Sequence, residues 1–311
     1  MKNKALATLA ALGGLMVASS AMAAQPVDWQ TRFQPAATSV MESITWFEEY
    51  TLWFIIPITL LVLGLLVVAM VRFREGANPV ASKTSHNTLI EVIWTVGPVI
   101  VLLFFAVPSF QILTEQLTQP ENPDLTVKAT ATQWQWNYEY QMENPVAFDS
   151  IVLDNNADAV NAAGQHTMLD TKEREELGKA DIGLYPRLLA VDNELVIPVG
   201  KTVRMLVTAA PTDVIHAFAM PAFGLKIDAV PGRLNETWFK ADQEGIFYGQ
   251  CSELCGKDHS FMPIAIRVVS EDKYKAWLAA AATDLPAANK ALMASADASA
   301  KTVDVAANNA Q

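Results

Sequence analysis

Twenty consecutive residues without a charge, Leu52 to Val71, restrict this chain more than any other feature of it. A run of that length, wound as a helix, matches the hydrocarbon thickness of a bilayer. In lipid every backbone polar group must be paired internally, which leaves a helix as the form such a run can take. Trp46 and Trp53 stand towards its start, where amphipathic rings anchor at the membrane surface. Pro57 falls near the beginning of the run, a tolerable place for it. A second apolar run extends from about Ile90 to Leu113 and contains Pro98 and Pro108, which predict a kink or an early end. The two runs predict a transmembrane hairpin over residues 46–113. A buried helical hairpin of a soluble protein fits neither the length nor the flanking charges.

Those charges orient the hairpin. Arg72, Arg74 and Lys83 lie in the connection, Glu42, Glu48 and Glu49 precede the first span, and Glu115, Glu121 and Asp124 follow the second. The positive-inside rule places the connection in the cytoplasm and both ends outside. The start of the chain agrees. Lys2 and Lys4, an apolar core from Ala5 to Val17, and the small-x-small run Ala21-Met22-Ala23 read as a secretory signal over residues 1–23. A short first membrane helix is the alternative, but the run is brief and rich in alanine; Met22-Ala23-Ala24 is a weaker second cleavage option. Residues 24–45 then form an exterior segment. The expected location is a membrane crossed twice, with the rest of the chain on its outer side. The hydrophobic content of 51% reflects this localised excess.

Beyond Pro123 the period changes to two. Thr126 to Thr130 and Gln133 to Tyr140 have strand character, and Trp134, Trp136, Tyr138 and Tyr140 alternate with polar residues, giving one strand an aromatic face. Residues 148–184 are polar and predict a long insertion with at most one short helix; His166 lies there as an exposed residue. Leu188–Val191, Glu194–Val199, Thr202–Thr208, Ile215–Met220, Asn235–Lys240, Gly245–Gly249 and Pro263–Val269 read as further strands separated by turn signals. Short strands at these intervals predict a Greek-key sandwich over residues 123–280. Ser270 to Ala280 reads as a helix with Ser270 as its N-cap. From 281 to 311 the composition of Ala, Asn, Asp and Ser predicts a disordered tail.

The chemistry concentrates in Gly249-Gln250-Cys251-Ser252-Glu253-Leu254-Cys255-Gly256-Lys257-Asp258-His259-Ser260-Phe261-Met262-Pro263. This stretch holds both cysteines, one of the four histidines and a methionine. Thiolate, imidazole and thioether suit soft, redox-active copper. Two thiolates on one loop can bridge two metals, each then needing one His and a weak further ligand. His216, in Asp213-Val214-Ile215-His216, offers the second imidazole. A disulfide, a zinc site of two Cys and two His, and a plain core role for Met262 compete with this reading; the short loop disfavours the first, and zinc leaves Met262 without a role.

At these residues the sequence resembles subunit II of the haem–copper cytochrome c oxidases. The resemblance runs from about Ser43 to Ala280 apart from the insertion, and includes Pro221-Ala222-Phe223-Gly224-Leu225-Lys226-Ile227-Asp228-Ala229-Val230-Pro231-Gly232-Arg233. It implies a cupredoxin-like domain with a dinuclear copper centre (CuA), liganded by His216, Cys251, Cys255, His259 and Met262. It further implies that Glu253 gives its backbone carbonyl to copper and its carboxylate to a magnesium ion shared with subunit I. Trp134 matches the surface tryptophan that takes the electron from cytochrome c. Glu91, in Glu-x-x-Trp-Thr, matches the mouth of a proton pathway into subunit I; a solvated charge at a helix end is the bland alternative. The implied activity is electron transfer from cytochrome c to haem in subunit I, for oxygen reduction coupled to proton pumping. The implied partners are subunit I, subunit III, cytochrome c and membrane lipid, with no nucleic acid.

Other functions fit less well. A copper-delivery protein needs exchangeable ligands, a quinol-oxidase subunit lacks the ligand set, and nitrous oxide reduction needs more histidines than four. No Cys-x-x-Cys-His occurs, so the donor haem belongs to another protein. From Gln111 onward there are 16 Lys and Arg against 27 Asp and Glu. Such an excess serves solubility and also steers a basic partner. Glu139, Asp213 and Asp228 are the acids expected to ring a docking site centred on Trp134.

Overall fold

The computed structural model describes residues 22–80, 82–154 and 170–294. Nearly all of the expected signal sequence, His166 with the middle of the insertion, and the end of the tail lie outside those residues. In chain order the elements are β1 (Met22–Ala24), α1 (Ser39–Arg72), α2 (Thr88–Leu117), β2 (Leu125–Thr132), β3 (Gln135–Tyr140), β4 (Ala147–Ser150), α3 (Thr171–Glu176), β5 (Leu195–Pro198), β6 (Thr202–Ala209), β7 (His216–Met220), β8 (Leu225–Ala229), β9 (Asn235–Lys240), β10 (Gly245–Cys251), β11 (Pro263–Val269) and α4 (Glu271–Ala281). A further helix, α5, covers 285–294.

α1 and α2 are long and apolar enough to cross a membrane, and the most apolar stretch of each is unburied. Helix α1 begins at Ser39, well before the apolar run, because Thr38 caps it: the Thr38 hydroxyl accepts from the Met41 N–H at 3.1 Å. The last residues of the segment expected up to residue 45 are therefore already helical. Helix α2 continues through both prolines, so the expected early end does not occur. A proline at 108 leaves the carbonyl of Phe104 without its helical donor. The Tyr50 hydroxyl from α1 donates to that carbonyl at 3.2 Å, which is how a membrane helix accommodates the residue. Phe54 packs edge-on against Phe105, with ring centroids 5.1 Å apart.

The strands form two sheets packed face to face. One has the order β5-β11-β10-β7-β8, with β1 beside β10; the other has the order β4-β3-β2-β6-β9. Sequence neighbours are often not sheet neighbours, as the Greek-key expectation requires. Along β3, Trp136, Tyr138 and Tyr140 point inward and are fully buried. Trp136 meets Phe218 of the opposite sheet edge-on at 5.3 Å. The Tyr140 hydroxyl donates to the Val196 carbonyl at 2.6 Å, tying the two sheets. Leu188–Val191 is not a strand; only Val191 bridges, to Val152. Conversely, β8 lies inside the Pro221–Arg233 stretch, where no strand was expected.

The insertion begins after β4, since Phe148 pairs with Tyr138. Its described flanks are held by buried charges: Arg174 with Asp154, and Glu194 between Lys179, at 3.0 Å, and Arg267. The tail expectation is corrected for 285–294, which is helical. Ala288, Leu292 and Met293 are buried there, and Trp277 Nε1–H donates to Asn289 Oδ1 at 2.8 Å. Leu285, Ala288 and Leu292 recur on one helical face, a signal that the alanine-rich composition obscures. Ser270 stands at the N-cap of α4, yet its side chain makes no capping bond.

The sandwich sits on the outer end of the hairpin. The Ala37 N–H donates to the Ala222 carbonyl at 2.9 Å, and the Thr38 hydroxyl donates to the Phe223 carbonyl at 2.9 Å. These bonds fix which end of the sandwich faces the membrane.

Candidate metal centre

Two neighbouring strands bring the site together. β7 begins at His216 and β10 ends at Cys251, and they pair antiparallel with Cys251 opposite Phe218. Their approach is close: a Cβ on Gly249 would lie 2.0 Å from the Ala219 carbonyl oxygen, so only glycine fits. The chain then loops out and returns through a 3₁₀ turn, His259–Phe261, to Met262, immediately before β11. The Met262 carbonyl accepts from the Trp136 indole N–H at 3.2 Å and from the Cys251 N–H at 3.4 Å. The Ser252 N–H donates to the Ala217 carbonyl at 3.1 Å. The loop is therefore fastened at both ends to the sandwich.

The donor atoms converge. Cys251 Sγ lies 3.9 Å from Cys255 Sγ and 3.8 Å from His216 Nδ1. Cys255 Sγ lies 3.4 Å from His259 Nδ1 and 3.5 Å from Met262 Sδ. The ligand atoms of His216, Cys251 and Cys255 all fall within 4.8 Å of one another. Both cysteines are free thiols, so the disulfide reading fails. Met262 is 1% exposed with its sulfur inside the cluster, which a Cys/His zinc site would not use. A thioether beside two thiols and two imidazoles is the donor set of copper, and these residues fit the pair of coppers that the sequence led us to expect.

Burial and neighbouring groups set the protonation of these side chains. Burial pushes the Cys251 thiol up, but hydrogen bonding with His216, together with the Glu253 and Ala217 backbone, outweighs it and brings the thiol down to about 6. Burial, then the neighbouring Cys251 charge, pushes Cys255 up to about 12. Burial also works against the charged form of His216, yet Cys251 and Asp213 raise it on balance. Metal binding would displace these protons, since thiolate and neutral imidazole are the liganding forms.

Around the cluster, Asp213 does more than sequence reasoning gave it. Its carboxylate accepts from the Val214 N–H at 2.7 Å and the Gln133 N–H at 2.9 Å, and faces His216 Nε2 at 3.3 Å. Burial raises its pKa, and these bonds outweigh that and lower it. With Nε2 protonated towards Asp213, Nδ1 is left as the lone pair facing Cys251. Asp213 thus holds the orientation of the His216 ring. Its place three residues before His216 was the available signal. Gln133 was missed altogether: its Nε2 donates to the Cys255 carbonyl at 2.7 Å, and the Trp134 indole N–H donates to the same oxygen at 3.3 Å.

Trp134 itself is half-buried in the turn between β2 and β3, where it packs against the buried core. Glu253 is exposed, and its carbonyl lies 3.3 Å from Cys251 Sγ. Asp228 is exposed on β8 opposite Ala217, one register step from His216. Glu139 lies near the far end of β3 from the turn that carries Trp134, and accepts from Gln141 Nε2 at 2.7 Å. Glu91 accepts from the Asn87 N–H at 3.1 Å, so in this chain it helps cap α2.

Comparison with known proteins finds similarity along most of the chain. The family model for the cytochrome c oxidase subunit II periplasmic domain matches residues 125–269, and that for its transmembrane domain matches residues 26–112. A probable cytochrome c oxidase subunit 2 of Rickettsia bellii is 44% identical over 90% of this chain and 93% of its own. The cytochrome c oxidase subunit 2 of Cereibacter sphaeroides is 40% identical over 85% of this chain and 87% of its own. The crystal structure of the periplasmic domain of subunit II of cytochrome oxidase from Bradyrhizobium japonicum covers 53% of this chain and 96% of its own, at 50% identity and a TM-score of 0.42. The chain belongs to the cytochrome c oxidase subunit II family, as the membrane-anchored electron-transfer subunit of a terminal oxidase whose His216, Cys251, Cys255 and Met262 are consistent with a CuA site.

Proposed function

We propose that this subunit takes electrons from a cytochrome c at Trp134 and delivers them to haem in subunit I. His216, Cys251, Cys255, His259, Met262 and the Glu253 carbonyl would hold the copper pair. Bound there, copper supplies reversible one-electron redox chemistry. The observation that carries the reading is the pair of hydrogen bonds on the Cys255 carbonyl. One joins the surface indole directly to the backbone of a ligand residue, so a single hydrogen bond separates Trp134 from the donor set.

The chain's own residues do the positioning. Asp213 fixes the His216 ring, Trp136 and the Cys251 N–H hold the Met262 backbone, and burial of all three sulfurs excludes water. A rigid ligand cage keeps reorganisation small when the charge changes. The Glu253 carboxylate, exposed beside the cluster, is proposed to bind magnesium at a boundary with subunit I. Glu91, at the cytoplasmic end of α2, is proposed to stand at the mouth of a proton path into that subunit. Subunit III is the further expected partner, and the bacterial inner membrane, with both chain ends outside, the expected location.

Copper analysis with EPR tests the site. Two coppers per chain sharing one unpaired electron give a seven-line pattern; one copper with four lines would overturn the dinuclear reading. Rapid mixing with reduced cytochrome c tests the path: Trp134→Phe is expected to bind normally but transfer far more slowly. An unmodified rate would place the electron's route elsewhere.

A further inference from the structure

Three consecutive residues of the metal loop each contact the Trp134 indole in a different way. The Cys255 carbonyl accepts from its N–H. Gly256, with φ of 126°, comes so near that a Cβ there would lie 2.9 Å from Trp134 Cζ2. The Lys257 ammonium lies 5.6 Å from the ring centroid, inside the range of a cation–π contact. The Lys257 side chain is 78% exposed, and its nearest carboxylate, Asp258, is 3.6 Å away. The exterior part of the chain is strongly acidic, yet the ring at the centre of the expected docking site carries a cation.

We propose that Lys257 determines donor specificity, favouring a cytochrome whose surface directly over Trp134 is neutral or acidic and disfavouring one that crowds lysines there. This rests on the reading of Trp134 as the place where the electron arrives. Two electrostatic ranges make the roles separable. The acidic excess of the whole domain draws a partner in from a distance. A single surface charge acts within about 8 Å near physiological ionic strength, so Lys257 is felt only by groups that come to rest over the ring.

The test uses the intact oxidase with two soluble c-type cytochromes as probes, one basic and one acidic around the haem edge. At low ionic strength Lys257→Met is expected to lower KM for the basic probe and raise KM for the acidic one, each by roughly two- to five-fold, the size of one exposed charge pair. The expected kcat is unchanged, Lys257→Arg behaves as the parent, and both shifts fade as salt rises. Shifts in the same direction for both probes, or none, would overturn the proposal. Trp134→Phe measured alongside separates the two readings. Opposite KM shifts with an unimpaired Trp134→Phe would keep the sorting charge and move the electron path. A slow Trp134→Phe with no Lys257 effect would keep the path and refute the sorting.

Discussion

Gly249→Ala isolates the contact between the two strands that carry His216 and Cys251. The added methyl would sit 2.0 Å from the Ala219 carbonyl oxygen and 3.2 Å from Met220 Cα. Both obstacles are backbone, so no side chain can swing aside. Relief requires β7 and β10 to separate by about 1 Å, the shortfall against the closest approach that a real Cβ shows. His216 leads β7 and Cys251 ends β10, and their ligand atoms are 3.8 Å apart, so the separation is passed directly to the cluster. Overpacking of this kind costs about 1–3 kcal/mol, which in a domain of this size lowers Tm by roughly 2–4 °C for each kcal/mol. The expected result for the purified chain is a lower Tm together with reduced copper content and an altered EPR signal. A variant that loads the same copper, with the same spectrum and Tm, would show that the strand pair is not what sets the ligand spacing.

Glu194→Gln should destabilise the sandwich by about 3–5 kcal/mol, because Lys179 and Arg267 would stay buried without their carboxylate; chemical denaturation measures this. Burial acts to raise Glu194, but Arg267 and then Lys179 outweigh it and hold the group at about 2, below the ordinary carboxylate value. A depressed folded-state pKa stabilises above the unfolded value and loses that contribution as pH falls towards the folded one. Acid unfolding of the parent should therefore steepen between about pH 4 and 2, and Glu194→Gln should flatten that limb; identical acid limbs would refute the assignment. Asp213→Asn should leave copper content near normal but shift the reduction potential and His216 resonances, whereas a pure docking role would change only KM. Glu91→Gln keeps an acceptor for the Asn87 N–H while removing the exchangeable proton, so it should slow turnover with helix and copper intact; full activity in membranes would leave Glu91 as a helix cap alone.

Much of this architecture is local enough to be read along the chain. An uncharged run such as Leu52–Val71 has one outlet in lipid, and charge asymmetry across the connection orients it, so span number and direction follow from composition over short windows. Strand periodicity and the Cys-x3-Cys-x3-His-x2-Met spacing are likewise properties of neighbouring residues. Where neighbours misled, a distant partner decided the outcome. Pro108 does not end α2, because the Tyr50 hydroxyl, on another helix, takes the vacated carbonyl. Residues 285–294 order because Trp277, Asn193 and Tyr185 receive them, through Asn289 and the Met293 sulfur. The role of Asp213 depends on the β2–β3 turn arriving beside His216, although Gln133 and Asp213 are 80 positions apart in the chain. The sequence by itself determined the donor types and the membrane anchor, because these are chemical identities and short-range patterns. Only the tertiary structure decided which carbonyl joins Trp134 to the ligands, which acid orients His216 and which cation lies on the indole, because hydrogen bonds and stacking depend on positions that long-range strand pairing alone sets.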